Sequence, residues 1–126
     1  NPSSLSVAQF VGSPKINIFK GSSDSNGTVS LLNLSLKRKS SESNLELNIG
    51  IRPEHFGPQY ENKITGKISF VETQGREDLY DVNFNDHVTI RSIQPSENRV
   101  ELHSEVNWGI MTEGILLFDK DGKRLK

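Results

Sequence analysis

An alternation of apolar and polar side chains with a period of two residues constrains the fold of this chain most strongly. It is clearest at residues 45–51, LELNIGI, where Leu45, Leu47, Ile49 and Ile51 fall on one face. This is the spacing of a β-strand with one buried side. Pro53 lacks a backbone donor and should end the strand.

Further runs of this kind predict about seven short strands, a number typical of a small closed barrel or a sandwich. One alanine against ten isoleucines and eight valines also favours strands over helices. We therefore predict an all-β fold. The predicted strands after residue 60 contain Ile64, Ile68 and Phe70; Tyr80, Val82 and Phe84; Val88 and Ile90; Val100 and Leu102; and the fully buried run 115–118. The aromatic residues of these strands are assigned to the core.

The first twelve residues depart from the period of two. Leu5, Ala8 and Val11 recur every three residues, which predicts a short helix. Gly12 suits the residue after its last turn, and Pro14 prevents its continuation. The abrupt start at residue 1 suggests a piece of a longer protein.

Motifs for catalysis and metal binding are absent from the sequence. It contains no glycine-rich phosphate loop, no H-E-x-x-H and no cysteine, and its three histidines lie on different predicted elements. Glu77 and Asp78 flank a turn, where carboxylates usually stay solvated. The net charge of −1 argues against nucleic acid, and Trp108 stands alone, without the aromatic and basic residues that such a site needs.

Four stretches in order carry a resemblance to a known family. Residues 7–17, VAQFVGSPKIN, are similar to the passage where sugar-importer ATPase subunits leave their nucleotide-binding domain. Residues 50–56, GIRPEHF, and 71–77, VETQGRE, resemble two further signatures of these subunits, and 117–125, LFDKDGKRL, their closing motif. The chain thus resembles the C-terminal regulatory domain of ABC-type sugar or glycerol-3-phosphate import ATPases of the maltose-transporter class.

The resemblance implies a small OB-fold-like barrel of the TOBE or MOP type, preceded by the short helix. Residues 1–20 would be the helix and connector from a missing ATPase domain, and residues 21–126 the barrel, as one structural domain overall. The implied function is a non-catalytic regulatory and dimerisation domain of a subunit that drives ATP-dependent import of sugars or related solutes. ATP and Mg²⁺ would bind the missing domain, so this chain itself would hold no cofactor, metal or catalytic residue.

The partners implied by the resemblance are those of a transporter subunit. They are its own ATPase domain, a second copy of the subunit, the transmembrane permease subunits reached through the ATPase domain and, in some members, a regulatory protein. No nucleic acid is implied. The resemblance places the bacterial subunit in the cytoplasm, peripheral on the inner face of the membrane.

Two groups of matched residues are candidates for a role. Gly12, Ser13, Pro14 and Asn17 would form the domain junction, with Asn17 bonding a backbone group. The second group, at the end of a predicted strand, would form an interface or regulatory site: Arg52, Pro53, Glu54 and His55.

In the second group, two residues of opposite charge are spaced to share a face of an extended segment. Arg52 and Glu54 would make a charge-assisted contact with the ATPase domain or the second barrel. The alternative is a local ion pair that orders the loop.

Two other functions remain open at this stage. One is a barrel that senses a small ligand, an oxyanion or a sugar, and the other is a nucleic-acid-binding OB-fold module.

Overall fold

A computed structural model describes residues 16–31, 34–84 and 88–125. Within these ranges regular structure consists of strands and three short 3₁₀ turns, so the all-β prediction is confirmed. The predicted N-terminal helix, with Gly12, Ser13 and Pro14, lies outside the described residues. The strands are β1 Asn17–Ser23, β2 Thr28–Leu31, β3 Leu34–Lys39, β4 Glu46–Ile51, β5 Phe56–Gly57, β6 Lys63–Thr73, β7 Glu77–Phe84, β8 Val88–Pro95, β9 Glu105–Ile110, β10 Leu116–Phe118 and β11 Arg124–Leu125. The 3₁₀ turns are Pro53–His55, Ser96–Asn98 and Thr112–Gly114.

The strands form two compact units. The first combines the described residues up to Arg52 with those from Thr112 onward, and the second lies within Pro53–Met111. The boundary predicted at residue 20 falls inside β1. A single structural domain over residues 21–126 stays a prediction.

The second unit is a five-stranded antiparallel sheet in the order β5-β9-β6-β7-β8. Its two outer strands, β5 and β8, come together without a backbone ladder. Side chains close the gap instead, since Ser92 Oγ and Gln94 Nε2 on β8 both donate to the carbonyl oxygen of Phe56 on β5. The result is a nearly closed barrel.

Aromatic rings fill the centre of this barrel. Trp108 on β9 meets both Phe56 and Tyr80 edge to face, with ring centroids 5.7 and 5.6 Å apart. Phe84 packs against the other side of Phe56, at 5.9 Å. The interpretation of Trp108 as an isolated residue is therefore wrong, because β9 carries its ring into the core.

The predicted core position of Phe70 is also wrong. The pairing of β6 with β7 shifts by one residue between Ile68 and Phe70, which marks a β-bulge. An extra residue turns every later side chain to the opposite face. Ile68 is therefore fully buried, whereas Phe70 is 40% exposed.

The strand predicted at Val100 and Leu102 does not form. Residues 99–104 make a turn in which His103 has a φ of 71°, and Leu102 is 48% exposed. This turn is tied to β6, because the His103 amide donates to the Ile68 carbonyl and the Ile68 amide to that of Ser104. The strand starts later, at Glu105.

The first unit is a six-stranded antiparallel sheet in the order β11-β10-β4-β1-β2-β3. The predicted strand at 45–51 is confirmed as β4, which lies near the middle of the sheet. The run 115–118 is buried throughout, as predicted. Ile16, Leu116 and Phe118 form a small buried cluster beside Gly50, where a Cβ would meet an Ile16 methyl carbon at 3.0 Å. Across the described ranges of the chain, no helix has the length and apolar character of a membrane span.

Candidate functional site

The candidate residues Pro53, Glu54 and His55 form a 3₁₀ turn that leads directly into β5. Pro53 is buried and Glu54 exposed. The turn is held at its backbone, since Tyr60 Oη donates to the Glu54 carbonyl at 2.9 Å and the Met111 amide to the His55 carbonyl at 2.8 Å. The segment therefore presents the Glu54 carboxylate on a fixed backbone.

The expected extended geometry of this segment is wrong, because the chain turns at Pro53. The ion pairs found among the described residues are Arg91–Asp81 and Arg99–Asp78, and neither contains Arg52 or Glu54. An interface role for these two charges stays a prediction.

His55 is half-buried at the end of the same turn. Its Nδ1 atom is buried and has no hydrogen-bond partner among the described residues. A buried ring nitrogen without a partner costs free energy that a hydrogen bond would recover. His55 is thus the member of the candidate group whose hydrogen bonding the described chain leaves incomplete.

Asn17 is the member of the junction group that the structure describes. It opens β1 opposite Ile51 of β4, and its Nδ2 atom donates to the Ile51 carbonyl at 2.9 Å. The side chain thus bonds a backbone group of the neighbouring strand. Its role at a domain junction stays a prediction.

A buried carboxylate in the barrel was missed by the sequence interpretation. Asp78 is fully buried, contrary to the expectation of a solvated turn residue. Arg99 Nε and Nη2 donate to its two oxygens at 2.9 and 3.3 Å. Tyr80 Oη lies 3.4 Å from the carboxylate and accepts the Val100 amide at 2.9 Å. Because a buried carboxylate needs a counter-charge, this network holds the 99–100 segment on the barrel.

The network changes the acidity of its members. Burial raises the pKa of the Tyr80 hydroxyl, and the nearby Asp78 carboxylate adds to this increase, whereas the bond from Val100 opposes it. The hydrogen bonds to Asp78 raise the pKa of the Arg99 guanidinium. Tyr80 therefore stays neutral and Arg99 charged across the physiological range.

A second arginine lies on the outer face of the barrel. Arg91 on β8 donates to both oxygens of Asp81 on β7, at 2.9 and 3.1 Å, and these hydrogen bonds raise its pKa. Its guanidinium carbon lies 6.0 Å from the centre of the Phe70 ring. The bulge in β6 thus brings an exposed aromatic ring beside a neutralised ion pair.

Metal binding finds no support in the described part of the chain, where no three histidine, aspartate or glutamate side chains cluster. In the barrel, Asp78 is bonded by Arg99 and Tyr80, and the Phe56 carbonyl oxygen by Ser92 and Gln94. Such an arrangement can hold and orient backbone segments.

Comparison with known proteins gives two relatives by sequence, while no family model matches the chain. The sulfoquinovosyl glycerol transport ATP-binding protein SmoE of Agrobacterium fabrum is 29% identical over 136 aligned residues, covering 98% of this chain and 37% of that protein. The ABC transporter ATP-binding protein YcjV of Escherichia coli O6:H1 is 38% identical over 86 residues, covering 60% of this chain and 24% of that protein. The chain therefore spans well under half of the length of either relative.

Among solved structures, the chain resembles the cytoplasmic molybdate-binding protein ModG, with a TM-score of 0.59 and 14% identity. The match covers 80% of this chain and 94% of that one. At this identity the likeness concerns the fold alone. The resemblance found in the sequence motifs is confirmed, since the chain is similar to the ATP-binding proteins of ABC transporters.

Proposed function

We propose that this chain is a regulatory and dimerisation domain of the ATP-binding subunit of an ABC importer for sugars or related solutes. One observation carries the proposal. Almost the whole chain aligns with a transport ATP-binding protein, yet it covers 37% of that protein and contains no phosphate-binding loop. ATP and Mg²⁺ would then bind elsewhere in the subunit, and this chain would supply contacts.

The fold that we propose is of the OB-like TOBE type. The nearly closed five-stranded barrel and the likeness to ModG support it. In the intact subunit, the partners would be the ATPase domain, a second copy of the subunit, the permease subunits and, in some cases, a regulatory protein. The subunit would lie on the cytoplasmic face of the membrane.

Removal of this domain from the full-length subunit tests the proposal. We expect the truncated subunit to hydrolyse ATP while its dimerisation and its control of transport are lost. The isolated 126-residue chain should show no hydrolysis, since it lacks the loop that binds phosphate. ATP hydrolysis by the isolated chain, or unchanged dimerisation and transport after truncation, would refute the proposal.

The turn after β4 is the surface that we propose for the interface. Glu54 is exposed on a backbone fixed by two hydrogen bonds, so little ordering would be needed on binding. Replacing Arg52 and Glu54 together by alanine in the full-length subunit should weaken dimerisation or transport. The matched control replaces Arg76 and Glu77, an exposed pair of opposite charge where the β6–β7 turn enters β7. Wild-type behaviour of the first variant would remove the interface role.

A further inference from the structure

Polar side chains gather on one face of the six-stranded sheet. The register pairs Lys20 with Asn48 and Ser22 with Glu46, so these four side chains of β1 and β4 share a face. Lys120 joins them from the turn between β10 and β11. Together with Gly21 and Leu47 they line a groove of about 460 Å³, which we term the β1–β4 groove.

The groove begins where the apolar part of this sheet face ends. Towards the other end of β1, Ile18 pairs with Gly50 and packs against the cluster that contains Phe118. Asn48 pairs with Phe118 on β10, and its Nδ2 atom donates to the Asp119 carbonyl at 3.2 Å. This bond fixes the β10–β11 turn, which carries Lys120, against β4.

That turn has a defined shape. Asp119 Oδ1 accepts the amides of Asp121 and Lys123, each at 2.9 Å, and Gly122 has a φ of 87°. A side-chain oxygen that accepts hydrogen bonds from nearby backbone amides orders a turn in the way a backbone turn would. Lys120 is thus presented from an ordered backbone rather than from a loose loop.

Within the described ranges, the charged side chains of the groove form no ion pair. Neither of the two ion pairs found among the described residues contains Lys20, Lys120 or Glu46. Two ammonium groups and one carboxylate leave a net charge of +1 on the groove. Its volume lies within the range of about 300–1,000 Å³ that is usual for small-molecule sites.

From this arrangement we infer that the β1–β4 groove binds a small polyol that carries a phosphate group. The two ammonium groups would bind the phosphate, since lysine pairs with anions as a point charge. Ser22, Asn48 and Glu46 offer the hydroxyl, amide and carboxylate that pair with sugar hydroxyls. Glu46 also disfavours a bare phosphate ion, because it adds a like charge near the anion. This inference goes beyond the proposed function and does not depend on it.

Titration calorimetry on the 126-residue chain tests the inference with glucose 6-phosphate, glucose and inorganic phosphate as probes. We expect glucose 6-phosphate to bind with a Kd below about 1 mM, and the other two at least tenfold more weakly. Lys20→Gln and Lys120→Gln should each weaken binding of glucose 6-phosphate by about tenfold. The control is Lys67→Gln, an exposed lysine on β6 of the other unit, which should leave the affinity unchanged.

Chemical shifts of the Ser22 and Asn48 amides place the ligand. They should move on addition of glucose 6-phosphate, and the variants should keep the thermal midpoint of the wild type because the altered side chains are exposed. The inference is overturned if glucose 6-phosphate shows no saturable binding, if phosphate alone binds as tightly, or if the control loses as much affinity. These results concern the isolated chain, so they leave the truncation test of the transporter role independent.

Discussion

The side-chain closure of the barrel makes a quantitative prediction about its stability. The Phe56 carbonyl oxygen accepts two hydrogen bonds from β8, from Ser92 Oγ and from Gln94 Nε2, the latter at 2.8 Å. Gln94 Nε2 also donates to Ser92 Oγ, at 2.8 Å. The three groups form a closed triangle in which all residues are buried. We predict that this triangle, rather than a backbone ladder, holds β5 against β8.

The expected magnitudes follow from which atoms lose their partners. Gln94→Leu removes two hydrogen bonds but leaves Ser92 to donate to the Phe56 carbonyl, so it should cost about 1 kcal/mol. Adding Ser92→Ala leaves that buried carbonyl without a donor. The second substitution should therefore cost a further 1–3 kcal/mol or so, which corresponds to a fall in Tm of about 4 °C for each kcal/mol.

Urea unfolding followed by tryptophan fluorescence measures these costs. Trp108 is the only tryptophan in the sequence and lies in the barrel core, so its emission reports on this unit. The control is Thr89→Ala on β8, which loses an exposed hydrogen bond to Asn83 and should change stability by less than about 0.5 kcal/mol. The decisive comparison is made in the Gln94→Leu background. If adding Ser92→Ala to it lowers the free energy of unfolding no more than the control substitution does, the triangle does not close the barrel.

Three further predictions concern the same barrel. Trp108→Ala should cost about 3–5 kcal/mol in urea unfolding followed by circular dichroism, because it empties the aromatic core. In the same assay Phe70→Ala, at an exposed ring, should cost about 1 kcal/mol or less, and equal losses would contradict the bulge. Tyr80 has a pKa raised above its ordinary value of 10.0, so the stability contributed by its neutral hydroxyl is complete below pH 10.0 and is lost as the pH rises through the folded-state pKa. Unfolding free energies measured through this alkaline range should fall less steeply for Tyr80→Phe, and an unchanged slope would refute the assignment. Gly66→Ala should cost about 1–3 kcal/mol, since its Cβ would lie 2.5 Å from Phe84 Cε1, and an unchanged thermal midpoint would show that the core yields there.

The period of two residues predicted the strands wherever one face is continuously apolar. β4 was found in this way, as were Tyr80, Val82 and Phe84, because burial of alternate side chains is what the pattern records. The run 115–118 was instead predicted from its unbroken apolar sequence. The motif resemblance then supplied the relationship to transport ATPases, which periodicity alone cannot give.

The errors arose where a single residue alters the backbone. The bulge near Ile68 leaves no mark in the composition of β6, yet it moves Phe70 to the outside. The left-handed conformation of His103 breaks the alternation that Val100 and Leu102 suggest. Trp108 is a different case, because Val106, Trp108 and Ile110 do alternate with Glu105, Asn107 and Gly109 in the strand EVNWGI, and this run was overlooked. The bulge, by contrast, depends on a pairing partner far along the chain, which a local pattern does not contain.

The polar interior of the barrel could have been inferred by extending the alternation beyond its apolar part. Asp78 lies two residues before Tyr80 and must share its face, and Ser92 and Gln94 continue the alternation that starts at Val88. In register, Val82 pairs with Ile90 and Phe84 with Val88, whereas Tyr80 pairs with Ser92 and Asp78 with Gln94.

One half of the β7–β8 interior is therefore apolar and the other half is polar, and the short strand β5 arrives at the polar half. At this half, the carbonyl oxygen of Phe56 on β5 accepts hydrogen bonds from Ser92 and Gln94, which an apolar interior would not supply. Because a buried backbone oxygen requires a donor, the polar residues of β8 allow this barrel to close where its backbone ladder ends.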